Sequence, residues 1–202
     1  EYHCAIEEIE QRHLDVASDL LGPDRYNGFA RRMAGHISRL EGILEGVFRL
    51  GEVTCRSTDL VLSIGELMSL DLIELALEEY GADVKRVDAR EMIFTRPFNG
   101  TERVDHEVTG EAIRKRLPRT NKIIITSGFI STSVKGYPST LGRGGSDHTA
   151  AIIAAAVGAE SLEIWTDVSG IYTADPAIAP DACTIPGLTY AEALEISHFG
   201  AR

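Results

Sequence analysis

The sequence predicts an α/β fold, a three-layer sandwich in which helices cover both faces of a mainly parallel sheet. From residue 58 onward, short apolar runs of strand length alternate with segments of helical period, which indicates a parallel sheet with crossover helices. Before that point the apolar positions follow a helical period alone, so residues 1–57 are expected to form an N-terminal helical portion. The chain has 202 residues, 44% of them hydrophobic, which suffices for one sizeable core.

Two helices are expected in the N-terminal portion, over residues 5–21 and 29–50. Apolar side chains recur there at three- and four-residue intervals. Three glycines interrupt the second pattern and are unfavourable in an isolated helix, so they indicate a close helix–helix contact or a break. These glycines are Gly35, Gly42 and Gly46.

Strands and helices then alternate along the chain. Apolar runs predict strands at Leu60–Ile64, Val84–Val87, Lys122–Thr126 and Leu162–Trp165. Helical patterns occupy Glu66–Tyr80, Glu111–Leu117, His148–Val157 and Thr189–Phe199. Residues 91–107 are expected to form loops with short strands, and residues 127–145 a long loop rich in glycine, serine and threonine. Because ligands bind at the carboxyl ends of parallel strands, the segments that follow the strands are expected to meet at one edge.

The segment Thr140–Asp147, with the sequence TLGRGGSD, is the most informative stretch of the chain. Its glycines let backbone amides approach a ligand closely, and the helix that follows offers free N–H groups to an anion. Arg143 adds a planar fork that fits a carboxylate or a phosphate. The segment lacks the ending of a Walker A motif, and Ser146 does not stand in a nucleophile elbow. The alternative interpretation is a flexible surface loop.

Two further positions leave alternatives open. The segment Trp165–Pro176 (WTDVSGIYTADP) has Thr166 and Asp167 where they could bond a nucleotide, and Tyr172 where it could pack on a base. The same pattern is typical of a type I turn with Tyr172 in the core. Glu66 is either a first-turn glutamate that the helix dipole favours or a carboxylate that accepts hydrogen bonds from a substrate ammonium group.

Composition excludes several classes of function. The net charge of −11 argues against a broad nucleic-acid surface. No apolar run approaches the roughly 20 residues that span a bilayer, so no membrane partner is expected. The three cysteines are widely spaced and fit neither a disulfide framework nor a zinc site. We therefore expect reduced thiols in a cytoplasmic protein without a metal site built from its own side chains.

Taken together, these segments resemble the amino-acid kinase domain of the aspartokinase family. The matching stretches occur in the family's order and spacing and cover most of the chain from residue 58 onward. They are Leu62–Ser69, Gly128–Ile130, Thr140–Asp147, Trp165–Pro176 and Phe199–Arg202. The resemblance implies an amino-acid kinase or carbamate-kinase-like fold in which residues 1–202 form part of a catalytic domain. Residues 58–202 would be its α/β core and would hold the substrate and ATP sites.

The resemblance also implies an activity: ATP-dependent phosphorylation of the side-chain carboxylate of L-aspartate, which yields 4-phospho-L-aspartate. This is the first step toward lysine, threonine and methionine. Glu66 would hold the substrate ammonium group and Arg143 a substrate carboxylate. Asp147 would act with Arg143 at the reacting centre. The pocket would be shaped by Phe129, Thr140 and Ser146.

On the nucleotide side, the resemblance implies that ATP is contacted by Thr166, Asp167, Tyr172 and Arg202, with Mg²⁺ bridging its phosphates. The chain departs from the family's pattern at Ala177, where an arginine is usual, and at Arg202, where a lysine is usual. The family's Lys-Phe-Gly-Gly motif occurs nowhere in these residues, and no regulatory ACT domain follows. We therefore expect a fragment of a homo-oligomeric enzyme, with little activity of its own.

Two other functions stay open on the sequence. One is another enzyme of the amino-acid kinase fold, acting on glutamate, uridylate or carbamate, although Glu66 with Arg143 favours an amino-acid substrate. The other is a non-catalytic binding or assembly module, which the missing lysine motif favours for these residues taken alone.

Overall fold

Two compact units make up the chain, one ending at Leu162 and one beginning at Glu163. The computed structural model describes residues 2–198. The first unit contains, in chain order, α1 (Tyr2–Leu20), α2 (Pro23–Leu50), α3 (Cys55–Glu79), β1 (Val84–Arg86), β2 (Phe94–Phe98), β3 (Thr101–Val104), α4 (His106–Arg116), β4 (Ile123–Ile125), β5 (Ile130–Ser133), β6 (Pro138–Thr140) and α5 (Gly145–Val157). The second unit contains α6 (Tyr190–His198).

Helices α1, α2 and α3 pack as a bundle, and the two predicted N-terminal helices are confirmed. Helix α2 begins at Pro23, whose ring suits a first turn. Gly51, which follows the last helical residue, caps the helix in the left-handed conformation. It runs unbroken through Gly35, Gly42 and Gly46, where an added Cβ would meet nothing within 4 Å. The expected break or close contact at these glycines is therefore wrong. The buried core of the bundle consists of Ile6, Ala17, Leu21, Phe29, Met33, Ile37, Leu40, Ile64, Met68 and Leu75.

Helix α3 contains the residues that were expected to form the first strand. The strand prediction at Leu60–Ile64 is wrong, since all of these residues are helical. Thr54 accepts a hydrogen bond from the Ser57 N–H, and the Ser57 hydroxyl accepts one from the Thr54 N–H, so the helix begins at Cys55. The helix contributes to two cores. Because α3 is apolar on two sides, its sequence lacks the single apolar face by which an amphipathic helix is recognised. Its apolar run therefore reads like that of a buried strand.

Within the described residues, six strands form two sheets, and with the helices they confirm the α/β class. In the first sheet β1 pairs with β4 in parallel. In the second the order is β3-β2-β5-β6. Strands β2 and β5 are parallel, whereas the β2–β3 and β5–β6 hairpins are antiparallel. The parallel pairings are thus the ones that join strands distant in the sequence.

The β5–β6 hairpin lies where the sequence predicts a long loop. Residues 127–145 contain both strands, which are joined by a turn with Gly136 at φ 83°. The loop prediction is wrong because these strands are rich in small hydroxyl residues, which are typical of loops but are largely buried here. The strand prediction at Leu162–Trp165 is also wrong, since these residues have no regular secondary structure.

The other predicted elements agree with the structure. The strands expected at residues 84–87 and 122–126 are confirmed as β1 and β4. The expected helices correspond to the second part of α3 and to α4, α5 and α6, of which α4 begins earlier than predicted, at His106. Phe199, the expected end of the last helix, lies outside the described residues.

A second core lies against β5, which is covered on both faces. Ile130 and Ser131 are both fully buried, and neighbouring residues of a strand face opposite sides of the sheet. Leu67 of α3 belongs to this core, whereas Ile64 and Met68 of the same helix belong to the bundle. The buried members of the second core are Leu67, Val87, Ala89, Met92, Ile93, Ile113, Ile130 and Ile152.

The second unit has its own short-range contacts. Tyr172 and Thr184 form an antiparallel bridge, and the Thr173 N–H donates to the Cys183 carbonyl at 2.9 Å. Helix α6 follows a capping box in which the Thr189 N–H donates to Glu192 and the Glu192 N–H donates back to the Thr189 hydroxyl. Among residues 2–198, no helix is both long enough and apolar enough to cross a membrane.

Asp71, a buried residue of α3, links three elements. Its Oδ2 lies 2.8 Å from Nε2 of His36 on α2, and its Oδ1 lies 3.0 Å from Nη1 of Arg86 on β1. Arg32 of α2 approaches the same carboxylate at 3.4 Å. Burial by itself would raise the pKa of Asp71, but the His36 hydrogen bond and the positive charge of Arg86 bring the pKa below its ordinary value. The fold therefore keeps Asp71 charged.

Replacing this carboxylate, Asp71→Ala, is expected to lower the free energy of unfolding at neutral pH by about 3 kcal/mol, because the half-buried His36 and Arg86 would lose the buried carboxylate that they contact. Since the pKa of Asp71 is lowered on folding, the stabilisation is complete above about pH 4 and is lost as the pH falls through the folded value. Urea unfolding at several pH values measures both effects. The matched control is Asp83→Ala, whose exposed ion pair with Lys122 contributes at most about 1 kcal/mol. Equal losses in the two variants would contradict this account.

Candidate active site

A cleft of about 580 Å³ opens between the start of α3 and the segment that follows β6. We call residues Thr140–Gly145, from the last residue of β6 to the first residue of α5, the arginine loop. The cleft is lined by Val53, Thr54, Cys55, Thr58, Asp59, Leu62, Phe129, Thr140, Gly142 and Arg143. Three residues expected to bind substrate, Phe129, Thr140 and Arg143, thus share one cavity in the first unit.

The arginine loop turns sharply on both sides of Arg143. Gly142 and Gly144 have φ values of 72° and 70°, a left-handed conformation that glycine adopts without a Cβ penalty. The Leu141 N–H donates to the Phe129 carbonyl at 2.8 Å, which ties the loop to the start of β5. Arg143 is exposed at the cleft and has no ion-pair partner among residues 2–198. Its guanidinium is free to bind an anion.

The segment after β4 is in direct backbone contact with the first turn of α5. A Cβ added at Gly128 would lie 2.7 Å from Cα of Ser146, and one added at Gly145 would lie 2.9 Å from Cδ2 of Phe129. Side chains at either position would push the two segments apart. The two glycines therefore allow the start of α5 to sit beside Phe129.

Phe129 has a strained backbone that its neighbours hold in place. Its φ of 67° is unusual for a residue with a Cβ, and such conformations cost of order 1–3 kcal/mol. The Phe129 N–H donates to Oγ1 of Thr149 at 3.1 Å, and the same hydroxyl donates to the Gly145 carbonyl at 2.7 Å. Thr149 thus joins α5 to the strained residue at the cleft wall.

The N-terminus of α5 provides donors beside the arginine loop. Gly144 precedes the helix and offers no side-chain cap, so the first N–H groups have no competing carboxylate or hydroxyl from that position. Ser146 and Asp147 lie in the first turn, and both are exposed. This arrangement suits an anionic ligand, since the helix dipole adds positive potential at the same place. The helix dipole by itself also favours a carboxylate, such as that of Asp147, in the first turn.

One face of α3 carries two carboxylates, of which Asp59 lines the cleft and Glu66 is not among its lining residues. Asp59 and Glu66 are seven residues apart, which corresponds to about two helical turns, and Leu62 between them lines the cleft. Burial raises the pKa of Glu66. Burial also raises the pKa of Asp59, and the charge of Glu102 raises it further, against a hydrogen bond from the Thr140 hydroxyl. Sequence analysis missed Asp59 because it assigned the residues between the two carboxylates to a strand, which hid the helical spacing.

The residues expected to bind ATP belong to the second unit. Oγ1 of Thr166 donates to Oδ1 of Asp167 at 3.0 Å, and both residues are exposed. Tyr172 is half-buried at its bridge with Thr184. The expected contacts of these residues with ATP stay predictions, and Arg202 lies outside the described residues. Among residues 2–198, no group of three His, Cys, Asp or Glu side chains is arranged to hold a metal ion.

Residues 9–202 match the model of the Amino acid kinase family. The chain belongs to this family. Among its relatives, the lysine-sensitive aspartokinase 3 of Escherichia coli is 40% identical over 81% of this chain. The chloroplastic bifunctional aspartokinase/homoserine dehydrogenase 2 of Zea mays is 34% identical over 99% of this chain. This member of the family spans only 38% and 22% of the lengths of those two proteins.

Solved structures of the family agree with these matches. The crystal structure of E. coli aspartokinase III in complex with aspartate and ADP (R-state) has a TM-score of 0.89 at 33% identity. The match covers 97% of this chain and 43% of that one. The aspartate kinase of Clostridium acetobutylicum has a TM-score of 0.71 at 30% identity, and the match covers 96% of this chain and 39% of that one.

The substitution Gly128→Ala is expected to destabilise the chain by about 1–3 kcal/mol, because the new methyl group would press on the backbone of Ser146. Thermal or urea unfolding measures the loss. Gly35→Ala is the control, since it lies inside α2 with open space around it and should stabilise by about 0.5–1 kcal/mol. A stabilised Gly128→Ala variant would contradict the close contact between the two segments.

Proposed function

We propose that the cleft binds L-aspartate and that the protein phosphorylates its side-chain carboxylate with ATP. The observation that supports this most is that one cleft combines an unpaired arginine with a carboxylate of α3, Asp59. An amino acid carries both charges, so such a cleft is complementary to it. Relatives named aspartokinases, and a structure that holds aspartate and ADP, support the choice of substrate.

Each proposed substrate contact has a physical reason. Arg143 would bind a substrate carboxylate with two parallel hydrogen bonds, which its planar fork favours. Glu66 would accept hydrogen bonds from the ammonium group, and that cation would favour its charged form against the effect of burial. Phe129, Thr140 and Ser146 would shape the rest of the pocket.

Phosphoryl transfer requires positioning and neutralisation of negative charge more than covalent chemistry from the protein. In the proposed reaction, the side-chain carboxylate oxygen of aspartate attacks the γ-phosphorus, and ADP leaves. The first-turn N–H groups of α5 and the Arg143 guanidinium would neutralise the charge that develops there. Asp147, exposed in that first turn, would orient the reacting groups.

For the nucleotide, we propose contacts from Thr166, Asp167, Tyr172 and Arg202. The described residues hold no three-ligand metal cluster, and Mg²⁺ in kinases is typically bound by phosphates with one or two carboxylates. Asp147, which is exposed in the first turn of α5, is a carboxylate that fits such a role. Bound Mg²⁺ would supply charge neutralisation at the phosphates.

The remaining expectations have less support and stay predictions. They are a homo-oligomeric full protein, a cytoplasmic location, and little activity for residues 1–202 alone. The relatives include chloroplastic and bacterial proteins. Glutamate, uridylate and carbamate are the alternative acceptors, and the relatives named above are aspartokinases.

The test is Arg143→Ala in the full protein, assayed with ATP, Mg²⁺ and aspartate while hydroxylamine traps the acyl phosphate. Loss of a charge-assisted contact should lower kcat/KM for aspartate about 30- to 1000-fold, mainly through KM. Arg143→Lys keeps the positive charge but lacks the planar guanidinium that makes two parallel hydrogen bonds. Its kcat/KM for aspartate should therefore lie between the values of the wild type and of Arg143→Ala. Wild-type kinetics in Arg143→Ala would overturn the assignment, and a preference of the wild type for another acceptor would overturn the substrate.

Binding can be tested separately through Cys55, an exposed thiol that lines the cleft. Aspartate should slow the reaction of Cys55 with a maleimide. The exposed thiols of Cys4 and Cys183 serve as internal controls and should react at unchanged rates. Equal protection of all three thiols would contradict binding in the cleft.

A further inference from the structure

We propose that Asp59 is a positioning residue whose hydrogen bond with Thr140 holds the arginine loop at the distance from α3 at which substrate fits. The inference rests on the proposed function of the cleft, because it gives Asp59 a part in binding the amino-acid substrate. Asp59 acts through Thr140 and the loop rather than on the reacting atoms.

The contact joins two walls of the cleft. Oγ1 of Thr140, at the end of β6, donates to Oδ1 of Asp59 at 2.8 Å across 81 positions of sequence. Both residues line the cleft. Among residues 2–198, no other side-chain hydrogen bond joins α3 to the arginine loop. Without this bond, the wall that carries Arg143 would lose its direct polar link to α3, the helix to which Glu66 belongs.

The bond also determines what Thr140 can offer to a ligand. A hydroxyl has one proton to donate, and Thr140 donates it to Asp59, so its oxygen can only accept from any further partner. An acceptor suits the ammonium group of an amino acid. Only Leu141 and Gly142 separate Thr140 from Arg143, so the same bond restrains the guanidinium that would bind the carboxylate.

The surroundings of Asp59 favour the bond to Thr140. Burial raises the pKa of Asp59, and the nearby charge of Glu102 adds to the cost of keeping it ionised, so the Thr140 hydroxyl is an important stabilising partner. Glu102 is itself held in place: the Tyr137 hydroxyl donates to its Oε1 at 2.7 Å. Arg56 stacks on the Tyr137 ring at 4.0 Å from the centroid. The wall behind Asp59 is therefore ordered.

Kinetics of the full protein test the functional part. Asp59→Ala should raise KM for aspartate about 10- to 100-fold with a smaller change in kcat and with KM for ATP unchanged. Asp59→Asn keeps an oxygen that can accept from Thr140, so its KM should lie within about fivefold of wild type. In the Asp59→Ala background, Thr140→Val should raise KM by a smaller factor than it does in the wild type, because the bond that both changes remove is already lost. Asp83→Ala, which removes an exposed carboxylate outside the cleft, should leave all constants unchanged.

Amide hydrogen exchange tests the positioning itself, without any substrate. In Asp59→Ala the amides of the arginine loop should exchange about tenfold faster or more, whereas those of α2 should not change. Faster loop exchange in a protein whose wild type does not phosphorylate aspartate would refute the proposed function and retain the positioning. Unchanged exchange, an unchanged KM, or an Asp59→Asn variant as impaired as Asp59→Ala would overturn the inference. The last result would mean that the charge, rather than the bond to Thr140, is required.

Discussion

The burial of α3 between two cores is the constraint on which the rest of the first unit depends. Ile64 and Met68 pack in the helical bundle, and Leu67 packs against the sheet. A polar residue on a helix in this position must find its partners inside the protein, and Asp71 finds them on α2 and β1. The bundle and the first sheet are therefore held together by packing and by charge. The start of α3, which forms one wall of the cleft, is held with them.

The opposite wall depends on backbone contacts rather than on long side chains. Gly128 and Gly145 allow the segment after β4 to touch the first turn of α5, and Thr149 holds Phe129 in its strained conformation. A helix terminus binds an anion through its N–H groups, so the chain beside it must approach closely without covering them. Glycine meets both requirements because it has no side chain.

The positive charge of Arg143 is kept apart from the carboxylates of α3. Arg143 has no ion-pair partner among residues 2–198, whereas Asp59 is committed to Thr140 and Glu66 lies in a half-buried site that raises its pKa. If the arginine paired with either carboxylate, the cleft would neutralise itself and lose its attraction for a charged ligand. Their separation on different walls prevents this and supports binding of a molecule that carries both charges.

Local sequence alone determined the elements whose signals are complete within a few residues: α1, α2, β1, β4, and the glycine turns on both sides of Arg143. Tertiary structure decided the elements and contacts that depend on residues distant in the sequence. Leu60–Ile64 is helical because α3 is buried on two sides, and the hydroxyl-rich hairpin β5–β6 forms strands because its serines are covered. The bond between Asp59 and Thr140 spans 81 positions, so no periodicity could indicate it. The periodicity of apolar residues indicates which face of a helix or strand is buried. Which segment packs against that face is decided only when distant parts of the chain come together.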